Sequence, residues 1–446
     1  MKFEIDNQTL KDLDIFDTFK KGKSLSTLFD FTLCRGGSSK LHSFLSSPSI
    51  YLEEINERKE TIRFFHNYLP DGIDLDKNAL NFAEYYFRHA NFTPRTPSKL
   101  AFLNKIFEKI NPSTKYYIID KGVRSTVALL KNIHRFSQML NERIAANNCP
   151  TLLQKNNEKV MKRFSLPEYE EVLRTTKISA YDTLRFDYMF RFTHRDDIVF
   201  FTNLIYEYDA YLSIAKAAKT YNLSYPEVLP ENQKCFEAEG LFHPFVDNAI
   251  SNDIRFGNEA NLLFVSGPNM AGKSTFLKAL GVAAYLAHVG FPVPARQMKM
   301  SLLSGICTTI NIADNLHAGY SHFYAEVMRI KEVANELKTN KNMLVIFDEL
   351  FRGTNVKDAY DGTLAIVTAF SKIKTSFFVI SSHIVEVARE LEKNDDLKFG
   401  YFEVVERNGE ATYTYKLQEG ISDVRLGMYI INREKLIEQI NDLSKN

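Results

Sequence analysis

The sequence predicts a multidomain protein of α and α/β class: a helical domain over residues 1–235, then an α/β domain over residues 236–446 with a mainly parallel sheet. Three observations predict it. The first 235 residues carry helical periodicity, short apolar runs alternate with helical stretches after residue 260, and a glycine loop joins the first such run to its helix. A chain of 446 residues has room for two or three domains, and 45% hydrophobic against 25% charged residues is the balance of a globular protein.

In the first half, Val127, Leu130, Ile133, Phe136 and Leu140 lie in a long run free of glycine and proline. Tyr208, Tyr211, Leu212, Ala215 and Ala218 mark one face of a second helix, with Lys216 and Lys219 off that face. Breaks fall at 94–97, 147–150 and 224–226, where prolines and asparagines cluster. Beyond 260, Leu262–Val265, Met343–Phe347 and Phe377–Ile380 read as strands buried on both faces, hence a parallel sheet covered by helices. Asn408-Gly409 between Phe402–Glu406 and Ala411–Leu417 predicts a hairpin, and an amphipathic helix is expected at 433–443.

Composition narrows the function. A net charge of +1 argues against a basic protein that coats nucleic acid. The cysteines Cys34, Cys149, Cys235 and Cys307 form no CxxC pair, which points to reduced thiols and a cytoplasmic protein. The acidic, mixed N-terminus does not read as a signal peptide, and the apolar stretch 276–295 carries Lys278 and His288, as a buried helix would.

Gly267-Pro268-Asn269-Met270-Ala271-Gly272-Lys273-Ser274 fits the phosphate-loop pattern in its proper setting, strand before and helix after. The glycines let backbone N–H groups turn inward at a helix N-terminus, Lys273 can reach the β- and γ-phosphates, and the Ser274 hydroxyl can ligate Mg²⁺. Asp348-Glu349 ends the strand 343–347, at the edge where open α/β sheets bind ligands. Asp348 can hold Mg²⁺ and Glu349 can act as general base. His383, after the third strand, can contact the γ-phosphate or orient water. The spacing is that of a cassette-type (ABC-type) phosphate-loop ATPase.

Together these residues resemble the MutS family of DNA mismatch-repair ATPases. The Pro268-Asn269-Met270 interior with Thr275 after Ser274, Asp348-Glu349 before Arg352-Gly353-Thr354, Ser382-His383, His243-Pro244 and Asn252-Asp253 are similar to that family's ATPase domain. Residues 314–326 look like its signature loop, which in the family crosses a dimer to the partner's ATP; Ser321 would be that contact, or else a helix cap. Weaker similarity to the core and lever helices runs through Ser26–Asp30, Arg35–Leu41, Ile55–Phe65 and Asp209–Leu223. Three positions depart from the pattern: Ala271 replaces a glycine, His322 a threonine and Phe351 a glycine.

The resemblance implies a Mg²⁺-dependent ATPase acting as a homodimer, with DNA as partner and no membrane. Because the core-like region begins within the first 30 residues, a short member without the mismatch-reading and connector domains is expected. The DNA clamp would be reduced or absent between 145 and 200, where Lys155, Lys159, Lys162 and Arg163 make the stretch basic. The rival readings are an ATPase for branched or recombination DNA and a nucleotide-switched protein-interaction module without DNA.

Overall fold

The computed structural model describes residues 2–17, 23–69, 76–90, 114–146, 149–257, 259–268, 270–310, 322–351, 354–407, 410–422, 437 and 440. In chain order the elements are strand β1 (Glu4–Ile5), then helices α1 (Asn7–Asp12), α2 (Leu25–Leu28), α3 (Arg35–Leu45), α4 (Leu52–Tyr68), α5 (Lys77–His89), α6 (Thr114–Ala145), α7 (Thr151–Phe164), α8 (Pro167–Arg174) and α9 (Ala180–Tyr188). A π-helical turn, Met189–Thr193, leads to α10 (Arg195–Thr220). Then come β2 (Glu227–Leu229), β3 (Cys235–Leu241), β4 (Asn252–Gly257), β5 (Leu262–Ser266), α11 (Lys273–Val289), β6 (Gln297–Ser301), β7 (Gly305–Thr309), α12 (His322–Thr339) and β8 (Met343–Asp348). The last are α13 (Val356–Ser371), β9 (Phe377–Ser382), α14 (Val385–Leu391), β10 (Leu397–Arg407) and β11 (Glu410–Glu419). The helix expected at 433–443 lies outside the described residues.

By contacts the chain divides into two compact units. One combines Phe29–Ser46 with Glu57–Thr220; the other combines Met1–Leu28, Ser47–Asn56 and Tyr221–Asn446. The composition change placed a single cut at 235; contacts gather two N-terminal pieces with the α/β part as well.

The first unit is helical. In α6, Val123, Val127, Leu130, Ile133 and Leu140 are buried at helical spacing, and Gly122 lets the Tyr86 ring lie on the backbone: a Cβ there would come within 2.3 Å of it. In α10 the buried face is wider than the sequence stripe, because Asp209 and Ser213 turn inward too. Asp209 accepts the backbone N–H groups of Leu33 (2.9 Å) and Cys34 (3.1 Å), and Ser213 donates to the Phe29 carbonyl at 2.6 Å. These satisfied polar groups fix the chain entering α3. Burial raises the Asp209 carboxyl above its usual range, an effect its three donors oppose.

The second unit holds a seven-stranded sheet in the order β1-β7-β8-β9-β5-β10-β11, parallel except for the β10–β11 hairpin. β5, β8 and β9 are buried at every residue, as their apolar runs require. A second sheet, β2-β6-β3-β4, lines up Glu237 with Arg255 and Lys299 on one face. The opposite face buries Phe236, Phe256 and Met300. α11 is buried along nearly its whole length, and no described helix is long and apolar enough to cross a membrane.

Candidate active site

The C-terminal ends of β5 and β8 open on the same side of the sheet, because parallel strands carry their following loops to one edge. There a cavity of about 890 Å³ is lined by Pro268, Met270, Gly272, Lys273, Ser274, Thr275, Glu349 and His383 from the predicted motifs. Its other wall is formed by Val246–Ile250, Asn252, Phe402 and Tyr415, of which the sequence singles out Asn252 alone. Asn269 and Ser321 lie outside the described residues, as do Arg352 and Gly353. His322 is described only as the first residue of α12.

The loop 267–272 turns on two glycines with positive φ, Gly267 (+141°) and Gly272 (+103°), and on Met270 at +68°. Ala271 is buried and is not among the positive-φ residues, so its methyl group replaces a glycine without backbone strain. Gly272 is needed twice: its φ suits glycine, and a Cβ there would come within 3.3 Å of the Tyr415 ring. α11 follows at once, and its N-terminal end, with the positive end of its dipole, borders the cavity at Lys273, Ser274 and Thr275.

Lys273 is buried, 4% exposed along its side chain. Its ammonium donates to the carbonyls of Gly267 (2.7 Å) and Pro268 (3.0 Å) and lies 3.3 Å from Glu349 Oε1. His383 Nδ1 is 3.9 Å from Glu349 Oε2, and its ring is half exposed. Ser381 ties the acidic pair together: its hydroxyl donates to Asp348 Oδ1 at 2.5 Å, while its Oγ and carbonyl each accept the Glu349 N–H at 3.1 Å. Asp348 is thus held inward while Glu349, at φ +54°, is turned into the cavity.

Of the nine non-glycine residues with positive φ among the described ones, four (Asn248, Met270, Glu349, Tyr415) line this cavity. Each costs of order 1 kcal/mol or more, and such strain concentrates where geometry serves function. Phe351, at +63°, stands two residues past Glu349, and its ring packs beside Gly362 and Phe323.

On the far wall, Asn252 fastens β11 over the loop: it donates to the Tyr415 carbonyl (3.1 Å) and accepts the Leu417 N–H (2.8 Å). His243 is buried beside this wall; burial, then the positive charge of Lys278, lowers its pKa to about 4, so it is neutral at pH 7. The sequence signalled Asn252 and His243 only through the family resemblance; Ser381, Phe402 and Tyr415 carried no signal.

Residues 263–445 match the family model described as MutS domain V. Similar curated proteins include the DNA mismatch repair protein MutS of Petrotoga mobilis, 28% identical over 60% of this chain and 34% of the relative. The protein of that name from Anaplasma phagocytophilum is 25% identical over 96% of this chain and 62% of the relative. That from Bacillus licheniformis is 30% identical over 44% and 23%. The chain thus spans from about a quarter to about three fifths of the length of these relatives.

Proposed function

We propose that this chain, which belongs to the MutS family, hydrolyses ATP in the cavity between the loop 267–272 and Glu349. The observation that carries the reading is the convergence of a buried lysine, a helix N-terminus, a carboxylate and a histidine on one cavity large enough for a nucleotide.

The backbone of 267–272, with Asn269, and the start of α11 through Thr275 cradle the phosphates. Lys273 exchanges its loop carbonyls for phosphate oxygens, and so releases Glu349 from its ion pair. Glu349 then takes a proton from the attacking water, which His383 helps to orient. Val246, Ile250 and the Tyr415 ring offer an apolar wall for the base. No group of three His, Cys, Asp or Glu side chains that could hold a metal alone occurs among the described residues. Ser274 and Asp348 offer hard oxygen donors, which suits Mg²⁺, an ion that draws its remaining ligands from phosphates and water. Bound there, Mg²⁺ supplies charge neutralisation of the β- and γ-phosphates.

The working form is a homodimer in which Ser321 reaches the partner's ATP, and the helical unit acts on DNA. Lys273→Ala should abolish binding of a fluorescent ATP analogue while leaving the fold intact. Mixing Lys273 and Ser321 variants should restore part of the activity in heterodimers; no recovery in proven heterodimers would refute the trans contact.

A further inference from the structure

The N-terminal segment Phe3–Asp14 is built into the α/β unit by contacts that the proposed mechanism leaves unused. Glu4 and Ile5 pair with Gly305 and Ile306, and the Glu4 N–H donates to the Ser304 carbonyl at 2.9 Å. Gly305 receives this strand: a Cβ there would lie 2.4 Å from the Glu4 carbonyl oxygen. Gly281 in α11 receives Leu13 in the same way, at 2.6 Å, and Asp14 pairs with Lys278 of α11 at 3.2 Å.

The polar contacts are aimed at the end of β7. Thr9 Oγ1 accepts the Thr308 N–H at 2.9 Å. Buried Asp12 accepts both the Thr308 hydroxyl (2.8 Å) and the Ile310 N–H (2.9 Å) through one oxygen. Asp6 pairs with Arg329 of α12 at 2.5 Å. Arg329 in turn donates to the Thr308 carbonyl (3.0 Å) and Thr309 Oγ1 (3.2 Å). Strand β7 and helix α12 are therefore joined by one guanidinium whose nearer carboxylate comes from the N-terminal segment, the other being Glu332 of α12 at 3.3 Å. Six residues before Arg329, Phe323 of α12 touches Phe351 with ring centroids 5.4 Å apart, and Phe351 lies two residues past Glu349.

We propose that Phe3–Asp14 is a positioning element of the nucleotide site, in which Asp6 and Asp12 hold α12 and the end of β7 so that the loop carrying Glu349 is set for hydrolysis. The path runs from Asp6 directly, and from Asp12 through Thr308, to Arg329, then along α12 to Phe323, Phe351 and Glu349. Asp6 and Asp12 are positioning residues and touch no substrate. Their loss acts on turnover rather than on nucleotide binding, since the lysine and the glycine loop belong to the other arm of the cavity. This inference rests on the proposed ATPase reading.

The test uses the full chain with Asp12→Ala, Asp12→Asn and Arg329→Met. Asp12→Asn retains an oxygen that can accept from both Thr308 and Ile310. Steady-state turnover should fall about tenfold or more in Asp12→Ala and Arg329→Met, with affinity for a fluorescent ATP analogue within about threefold of the parent and Asp12→Asn close to it. Amide exchange should quicken at 305–310 and 322–332 and stay unchanged at 273–289. Unaltered turnover, or a parallel loss of affinity, turnover and melting temperature, would overturn the proposal. A parent chain that binds ATP and turns none over would defeat the ATPase reading instead. In that case unchanged exchange at 322–332 would still overturn the hold on α12, and faster exchange there would support it.

Discussion

Acidification should destabilise the α/β unit through His288, and the size of the effect follows from its surroundings. The ring is fully buried in α11, with the Phe3 ring tilted against it at 4.6 Å between centroids. Its Nε2 accepts the Leu303 N–H at 3.1 Å, so Nε2 must carry a lone pair, and Nδ1–H donates to the Ser49 carbonyl at 2.9 Å. Both nitrogens are committed, and a second proton would face an N–H. Burial lowers the pKa to about 4 from an ordinary 6.5, although the bond to Ser49 pulls it up slightly. The unfolded chain therefore binds the proton more readily than the folded one. Stability is full above pH 6.5, falls as pH drops through that value, and levels off below about 4. At about 1.36 kcal/mol per pKa unit the whole loss is roughly 3 kcal/mol, with about 2 of it reached by pH 5. His243, with a pKa also lowered to about 4, adds a loss of similar size in the same window. Denaturant unfolding at pH 7, 6 and 5 measures this. His288→Gln, whose amide can serve both partners without titrating, should lose about 2 kcal/mol less than the parent between pH 7 and pH 5. Parallel curves for parent and variant would refute the assignment of the neutral tautomer.

Three further outcomes are expected. Phe351→Gly should relieve roughly 1 kcal/mol of positive-φ strain but forfeit about 3 or more in lost aromatic packing, a net destabilisation visible in the melting temperature. Gly272→Ala should weaken ATP-analogue binding by about tenfold or more, from strain at φ +103° and contact with Tyr415, measured by fluorescence titration. If the helical unit binds DNA, the exposed face of α7 carrying Lys155, Lys159 and Lys162 is the place to look, because Arg163 is engaged with Asp197 at 2.8 Å. Replacing the three lysines by alanine should flatten the log–log salt dependence of duplex, mismatched or four-way DNA binding in gel shifts by about 2–3. No binding of any of these at moderate salt would favour the protein-interaction reading.

The parts of the fold that showed in the sequence are those where burial dictates composition. β5, β8 and β9 are covered on both faces, so their residues form unbroken apolar runs that local inspection finds. The hairpin showed for a different reason, the Asn408-Gly409 pair between two alternating runs, although β10 begins five residues earlier than Phe402, where it joins β5 in the sheet. β1 did not show: two residues pairing with a strand some 300 positions away leave no periodic trace. β7 was hidden because its Thr308 and Thr309 are satisfied by Thr9, Asp12 and Arg329 rather than by apolar neighbours. In the site, residues in chemical motifs could be named beforehand, but Ser381, Phe402 and Tyr415 act through position alone. The Phe351 departure also acquires a physical reading: a glycine-favouring φ is occupied by a ring that links α12 to the loop after Glu349.

The most direct measurement compares ATP turnover by the parent chain and Glu349→Gln, with nucleotide binding followed in parallel. The account predicts that the parent releases phosphate, and that the variant binds the ATP analogue at least as well, having lost the carboxylate paired with Lys273 at 3.3 Å, while turnover drops by a factor on the order of 100 or more. Undiminished phosphate release by the variant would contradict it.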